Sequence, residues 1–168
     1  MRERITIQKV FFIWDFEKEE RWLNEMAMSG WALCFVRLCR YTFEKCEPGE
    51  YTIRMEMRGQ DPDYISFMSE TGASYVGRIF NWIYFRQRTG EGSFDIFSDI
   101  DSRIQHLDKI GKALQAIGSA NIIIGIANVF NPSHLGFINL LVAILLMYAL
   151  GRIHEKKESL EKDRLVHE

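Results

Sequence analysis

The sequence lacks most of the signatures that tie a chain to a familiar chemistry. It holds no GxxxxGK[ST], no GxGxxG, no GxSxG and no HExxH. A phosphate-cradling loop, a nucleophile elbow and a zinc-protease helix are therefore not expected. Cysteine is sparse: Cys34, Cys39 and Cys46 are separated by five and seven positions. On a strand, odd separations point to opposite faces, so the three do not converge on a metal. Free thiols in a reducing compartment are expected, with no disulfide and no metal or other cofactor. The formal charge is only −2 over 168 residues, which gives no basic footprint for nucleic acid. The opening MRERITIQK has no apolar run behind its arginines, so a cleavable signal peptide is not expected.

Charge is missing altogether from two long stretches, ALQAIGSANIIIGIANVF and LGFINLLVAILLMYALG, separated by NPSH. Each approaches the roughly 20 residues that a helix needs to cross about 30 Å of hydrocarbon. Gln115, Ser119, Asn121 and Asn128 interrupt the first. Its Gly118, Ser119, Ala120, Gly125 and Ala127 would let another helix approach closely, including that of a second copy. Pro132 marks a turn between the two. Arg103, Lys109 and Lys112 precede the pair, Arg152, Lys156 and Lys157 follow it, and the turn carries no Lys or Arg. Positive residues stay on the cytoplasmic side. We therefore expect a multi-pass protein of the cell membrane, a transmembrane hairpin over 113–151 with both termini cytoplasmic and the lipid bilayer as its first partner. The charged tail 152–168 reads as a solvated helix or a frayed end.

What is present in the first 90 residues is a mixture of strand and helix signals. RITIQKVFFIW is β-branched and aromatic and reads as a strand. The next stretch crowds Asp15, Glu17, Glu19 and Glu20 together. Asp15 is placed as an N-cap and the glutamates face the positive end of the helix dipole, as a solvated helix start would. Phe16, Leu23, Met26 and Ala27 supply an apolar stripe, and Gly30 a stop. WALCFVRLCRYTFEKC reads as one long strand, and YTIRMEMR as an alternating strand paired with it in a hairpin. Asp61-Pro62 opens a short helix, and SYVGRIFNWIYFRQR reads as the last strand. The order is βαββαβ, the ferredoxin-like α+β pattern, over 1–90. A linker and juxtamembrane helix over 91–112 follow, with a capping box at Ser98 and Asp101, so that one helix runs from about Asp99 into the first span.

Chemical constellations are weak. Glu19 and Glu20 diverge by about 100° on a helix. Asp15 and Glu19 share a face, both expected in solvent, with no histidine nearby. His106, His134, His154 and His167 are scattered. YTIRMEMR has no glycine and an acid at its centre, unlike the third strand of an RNA-recognition fold. Aromatics, by contrast, are in surplus: Trp14, Trp22, Trp31, Trp82, Phe80, Tyr84 and Phe85 exceed what two short helices cover. On an open sheet face they would mark a ligand groove or partner surface. The candidate binding residues are Trp22, Trp31, Trp82 and Tyr84; no catalytic or metal-binding residue is expected.

EKEERWLNEMAMSGWAL, YTFEKCEPGEYTIRMEM and SFDIFSD together resemble an uncharacterised bacterial family of the DUF type. Its W-L-N-x-M-x-x-x-G-W pattern stands here at Trp22 to Trp31. Where that family has Gly-Trp before its last strand, this chain has Gly72-Ala73. The resemblance covers roughly residues 8–105 and implies a cytoplasmic domain followed by hydrophobic segments, with genes often beside PadR-type transcriptional regulators; it brings no activity. The resulting expectation is a membrane-anchored, non-enzymatic sensor or adaptor that binds a small molecule or a protein, and no nucleic acid. The alternatives are an accessory subunit of a membrane transporter, and an unfamiliar enzyme using Asp15 and Glu19.

Overall fold

The computed structural model describes residues 3–129 and 135–167; the expected turn at Pro132 and His134 lies outside them. The chain divides into two units, 1–96 and 97–168. Unit 1 is a mixed α+β fold and unit 2 is helical.

Unit 1 builds β1 (Arg4–Gln8), α1 (Phe16–Met28), β2 (Trp31–Arg37) and β3 (Arg40–Lys45), then β4 (Tyr51–Met57), α2 (Pro62–Glu70), β5 (Ser74–Ile79) and β6 (Trp82–Arg88). The strands form two antiparallel sheets of three, ordered β1-β3-β2 and β4-β6-β5. This is one βαββ unit made twice. The equivalence extends to detail: Lys9 N–H donates to Cys39 O at 3.2 Å in the first, and Arg58 N–H donates to Asn81 O at 2.7 Å in the second.

Two expectations are corrected by this topology. Both long apolar strands fold back on themselves through two-residue tips, Leu38-Cys39 and Phe80-Asn81, bracketed by the pairs Arg37–Arg40 and Ile79–Trp82. In place of the four-stranded βαββαβ sheet there are six strands in two sheets among the described residues. The tips were hard to read because neither uses the Asn-Gly or Asp-Gly pair that usually announces such a turn; Cys39 and Phe80 take positive φ (56° and 51°) instead. The second correction is that β4 pairs with β6 and not with the strand before it. β3 already has β1 on one side and β2 on the other, so it offers no free edge.

β2 and β5 lie side by side and point the same way. Arg86, opposite Ser74 on β5, donates to Leu33 O on β2 at 3.1 Å. Three residues on, Gly77 lies against Val36, where a Cβ would stand 2.9 Å from Val36 Cγ1. Arg86 also donates to Glu44 at 2.8 Å. These two occupy equivalent places in β6 and β3, so the two halves are joined at matching positions.

α1 is the element that ties the halves together. Its buried residues are Phe16, Glu19, Leu23 and Ala27, a stripe at helical spacing. Asn24 donates to Ile53 O and accepts from Ile53 N, both at 2.9 Å, and Glu20 accepts from Met55 N at 3.0 Å. The edge of β4, which would otherwise present bare backbone groups, is thus paired by helix side chains. α2 begins at Asp61, whose carboxylate accepts from Tyr64 N at 3.0 Å. A second cluster of Met68, Ala73, Ile83, Phe85 and Phe94 packs beside it.

Unit 2 consists of α3 (Ile100–Asn128) and α4 (Leu135–His167). α3 is one continuous helix of 29 residues, about 43 Å long. Its capping box is Asp99 with Ser102, one residue later than the expected Ser98 with Asp101. Glycines seven apart on α3 set the seam with α4: a Cβ at Gly118 would stand 2.6 Å from Met147 Cε, and one at Gly125 would stand 2.8 Å from Leu140. Gly136 returns the contact beside Gly125 and Asn128. Beyond the apolar stretches the helices are joined by ion pairs, Lys157–Asp108 at 2.7 Å and Arg164–Asp101 at 2.9 Å.

Candidate functional site

The acid cluster at the start of α1 separates into side chains with different surroundings. Asp15 occupies the N-cap position without a side-chain cap bond; its carboxylate pairs with Lys18 Nζ at 2.6 Å. Glu20 takes the Met55 amide and lies 3.4 Å from Arg54. Glu19, expected in solvent, is 7% exposed. It sits in the apolar stripe, one turn from Leu23, and α1 carries it into the interior.

There Glu19 Oε1 accepts two phenol hydrogens, from Tyr41 on β3 at 2.7 Å and from Tyr84 on β6 at 2.6 Å. One carboxylate oxygen therefore joins the helix to the central strand of each sheet. Burial pushes the Glu19 carboxyl above its ordinary range, and the bonds from Tyr84 and Tyr41 oppose that shift without cancelling it. Both phenols are held above their ordinary value, by burial first and by the neighbouring Glu19 second. A buried carboxyl bonded to two buried phenols forms a polar centre whose hydrogen bonds are met from inside the unit. Asp15 and Glu19 do not share an accessible face.

The four expected binding residues are dispersed by the fold. Tyr84 is 2% exposed and belongs to this interior centre, a correction to its expected place on an open surface. Trp22 is half-buried, with its ring edge-on to Tyr41 at 5.1 Å and Phe43 at 5.6 Å and the Lys9 ammonium 4.3 Å from its centre. Trp31 opens β2 with Lys45 Nζ 4.6 Å over its ring. Trp82 opens β6 and stacks on Phe16 at 5.3 Å. Because β2 and β5 run in step, and Trp82 lies opposite Ile79 at the far end of β5, Trp31 and Trp82 stand at opposite ends of the unit. They do not line one groove.

A second polar group surrounds Glu56, which is 4% exposed. It accepts from Tyr64 Oη at 2.8 Å and from Arg58 Nε at 3.3 Å, while the Arg58 guanidinium lies 3.7 Å over the Tyr64 ring. Burial and the Glu56 bond push the Tyr64 phenol upward. Cys34, Cys39 and Cys46 are half-buried and take part in no disulfide among the described residues. No group of three or more His, Cys, Asp or Glu positioned to hold a metal occurs among the described residues.

The interior centre was missed at the sequence level, although a signal existed. Glu19 is three residues from Phe16 and four from Leu23, inside the apolar stripe and not beside it. The tyrosines gave no such cue, since Tyr41 and Tyr84 are brought together only by the pairing of the two halves.

The fold and these centres define a class: a small α+β unit built on a doubled βαββ motif, followed by two long apolar helices. The chain belongs to the DUF2812 family, described as a protein of unknown function, whose profile matches residues 15–118. The match runs from the start of α1 through the doubled motif and ends at Gly118 within α3. Comparison with curated proteins and with solved structures gave no match.

Proposed function

We infer that the chain is a membrane-anchored, non-enzymatic sensor or adaptor: unit 2 is a hairpin crossing the cell membrane with both chain ends cytoplasmic, and unit 1 engages a protein or small molecule beside it. One observation carries the anchoring. The most apolar windows of the two helices have mean hydropathies of 1.4 and 1.9, yet only 22% of each is buried. Ile123, Ile126, Phe137, Ile138, Leu141 and Ile144 all point outward. A core helix of a water-soluble protein would cover such side chains; hydrocarbon is the solvent in which they need no cover.

The polar residues of the first span are compatible with that solvent. Asn121 donates to Ile117 O at 2.9 Å and Asn128 to Ile124 O at 2.8 Å. Each amide returns one N–H to its own helix, which lowers the cost of placing it in hydrocarbon. The basic residues on the outer sides of the pair set its orientation. A PadR-type regulator is the partner that the family resemblance suggests. An enzymatic role for Asp15 and Glu19 has no support in their arrangement.

The test is alkaline carbonate extraction of membranes after chemical cross-linking. The full chain should stay in the pellet and carry a stoichiometric adduct with a cytoplasmic regulator. Release into the supernatant would defeat the anchor; adducts confined to transporter subunits would defeat the adaptor role.

A further inference from the structure

The parallel course of β2 and β5 brings the two hairpin tips, Leu38-Cys39 and Phe80-Asn81, to the same end of unit 1. Both tips thrust a large apolar side chain into solvent: Leu38 is 60% exposed and Phe80 is 75% exposed. The chain leaving β1 arrives at this end too, since Lys9 bonds to Cys39, and adds the exposed Val10 and Phe12. Phe12 stacks flat on Trp14 at 4.7 Å, which fixes its outward position. Phe80 holds a left-handed φ of 51° at its tip, a conformation that a bulky side chain rarely adopts. Glycine or asparagine would hold that turn with less strain, so the aromatic ring at this position calls for an explanation outside the turn itself.

Cations surround these apolar tips. Arg37 and Arg40 face each other directly across the first hairpin, and neither has an ion-pair partner among the described residues. Like charges set opposite each other are destabilising unless an anion lies between or above them. Lys9 adjoins them with its ammonium over the Phe11 and Trp22 rings, and Arg78 flanks the second tip with a 3.5 Å bond to Gln60. The acids that begin the neighbouring helices are already engaged, Asp15 with Lys18 and Asp61 with Arg58. Lys9, Val10, Arg37, Leu38 and Arg40 line an open depression of about 540 Å³ at this end.

We propose that this end of unit 1, with Leu38 and Phe80 at its tips and Lys9, Arg37, Arg40 and Arg78 around them, is a docking surface for an anionic lipid bilayer. Apolar side chains that reach past a ring of basic ones match the acyl boundary and the phosphates above it in depth order. A purely acidic protein partner would satisfy the arginines and leave four apolar groups without a counterpart. The proposal rests on the anchoring read above only in part: the tether would hold the surface near the membrane and raise its effective concentration there, while the surface itself is a property of unit 1.

The experiment uses the full chain with nanodiscs of phosphatidylcholine alone and of phosphatidylcholine with phosphatidylglycerol. Co-elution with discs of either kind reports the anchor. Hydrogen exchange at the backbone amides of 37–40 and 79–82 reports docking. In phosphatidylglycerol discs both tips should exchange about five-fold more slowly for each arginine engaged, and the protection should fade with added salt. Arg37→Glu with Arg40→Glu should abolish it, and Phe80→Ser should weaken it while leaving the protection of β3 and β6 intact. Equal exchange in the two kinds of disc would overturn the proposal. Protection that appears without anionic lipid and grows with protein concentration would also overturn it, in favour of a second copy. Failure to enter either disc, with salt-sensitive protection on phosphatidylglycerol vesicles, would overturn the anchor and keep the docking surface.

Discussion

Unit 1 turns Leu23, Leu33, Phe43, Ile53, Ile83 and Phe85 inward; unit 2 buries Ile104, Leu107, Ile110, Leu114 and Ile153 at one end of its helix pair, but towards the other it buries Gly118, Gly125, Ala143 and Ala149 and turns Ile123, Ile126, Leu141 and Ile144 outward. In that second part of unit 2 the residue types that fill the core of unit 1 face outward. In unit 1 burial of large side chains is the driving force, and polar groups inside must be matched one by one, as at Glu19 and Asn24. In that part of unit 2 small residues let the helices approach and the large ones meet the surroundings. On the anchoring proposed above, each unit would suit its own solvent, and one chain of modest hydrophobicity would hold both.

The sharpest way to break the comparison is to truncate one leucine of each kind. Leu23 is fully buried in α1, so Leu23→Ala should destabilise unit 1 by about 3 kcal/mol or more. Leu145 faces outward on α4, and Leu145→Ala should change stability by less than about 0.5 kcal/mol. All four tryptophans, Trp14, Trp22, Trp31 and Trp82, lie in unit 1. Their emission during urea unfolding of the detergent-solubilised full chain therefore reads unit 1 and serves for Leu23→Ala. The loss of helical circular dichroism on heating follows the hairpin and serves for Leu145→Ala. Equal shifts for the two variants would mean that the inward and outward leucines are not distinct.

Polar matching predicts the next effect. Asn24→Ala removes both side-chain bonds to Ile53 and leaves the edge of β4 open; a loss of about 2 kcal/mol is expected by tryptophan emission. Asn128→Ala on α3 deletes a bond from a side chain to its own helix and should change the thermal midpoint of the hairpin by circular dichroism very little, since the backbone ladder of the helix does not depend on it.

These contrasts also show what could be read in advance. The stripe of α1, its stop at Gly30, the Asp61-Pro62 start of α2, the alternation of β4 and the two apolar helices all follow from local periodicity, and all are present. What local patterns do not carry is which edge pairs with which. Two hairpin tips without glycine were invisible, so four strands became six and the doubling of βαββ went unseen. The interior centre depended on that doubling: Glu19 was readable as part of a stripe, but its partners Tyr41 and Tyr84 lie on equivalent strands of the two halves and meet only through them.

Glu19 gives a smaller, signed effect. Burial holds its carboxyl above the ordinary range, so the folded chain binds this proton more tightly than the unfolded chain does. Its contribution to stability is therefore complete below the ordinary carboxyl range and is lost as pH rises through the folded-state value. Glu19→Gln keeps the shape and cannot ionise. Its urea midpoint should stay level across that interval while the parent's declines, and a parent midpoint that rises there would show that Glu19 stays charged in the fold.

The smallest effect tests where the outward-facing rule of unit 2 ends. Asp108 and Lys157 pair at 2.7 Å with Asp108 about two-fifths exposed; if the proposed membrane boundary leaves them in water, screening makes such an ion pair weak and salt-sensitive. Asp108→Asn should therefore leave insertion unchanged and lower the thermal midpoint of the hairpin, followed by circular dichroism, only slightly and only at low salt. A large, salt-independent loss would put this pair inside the low-dielectric layer, and the membrane boundary of α3 would then have to be drawn closer to Asp99.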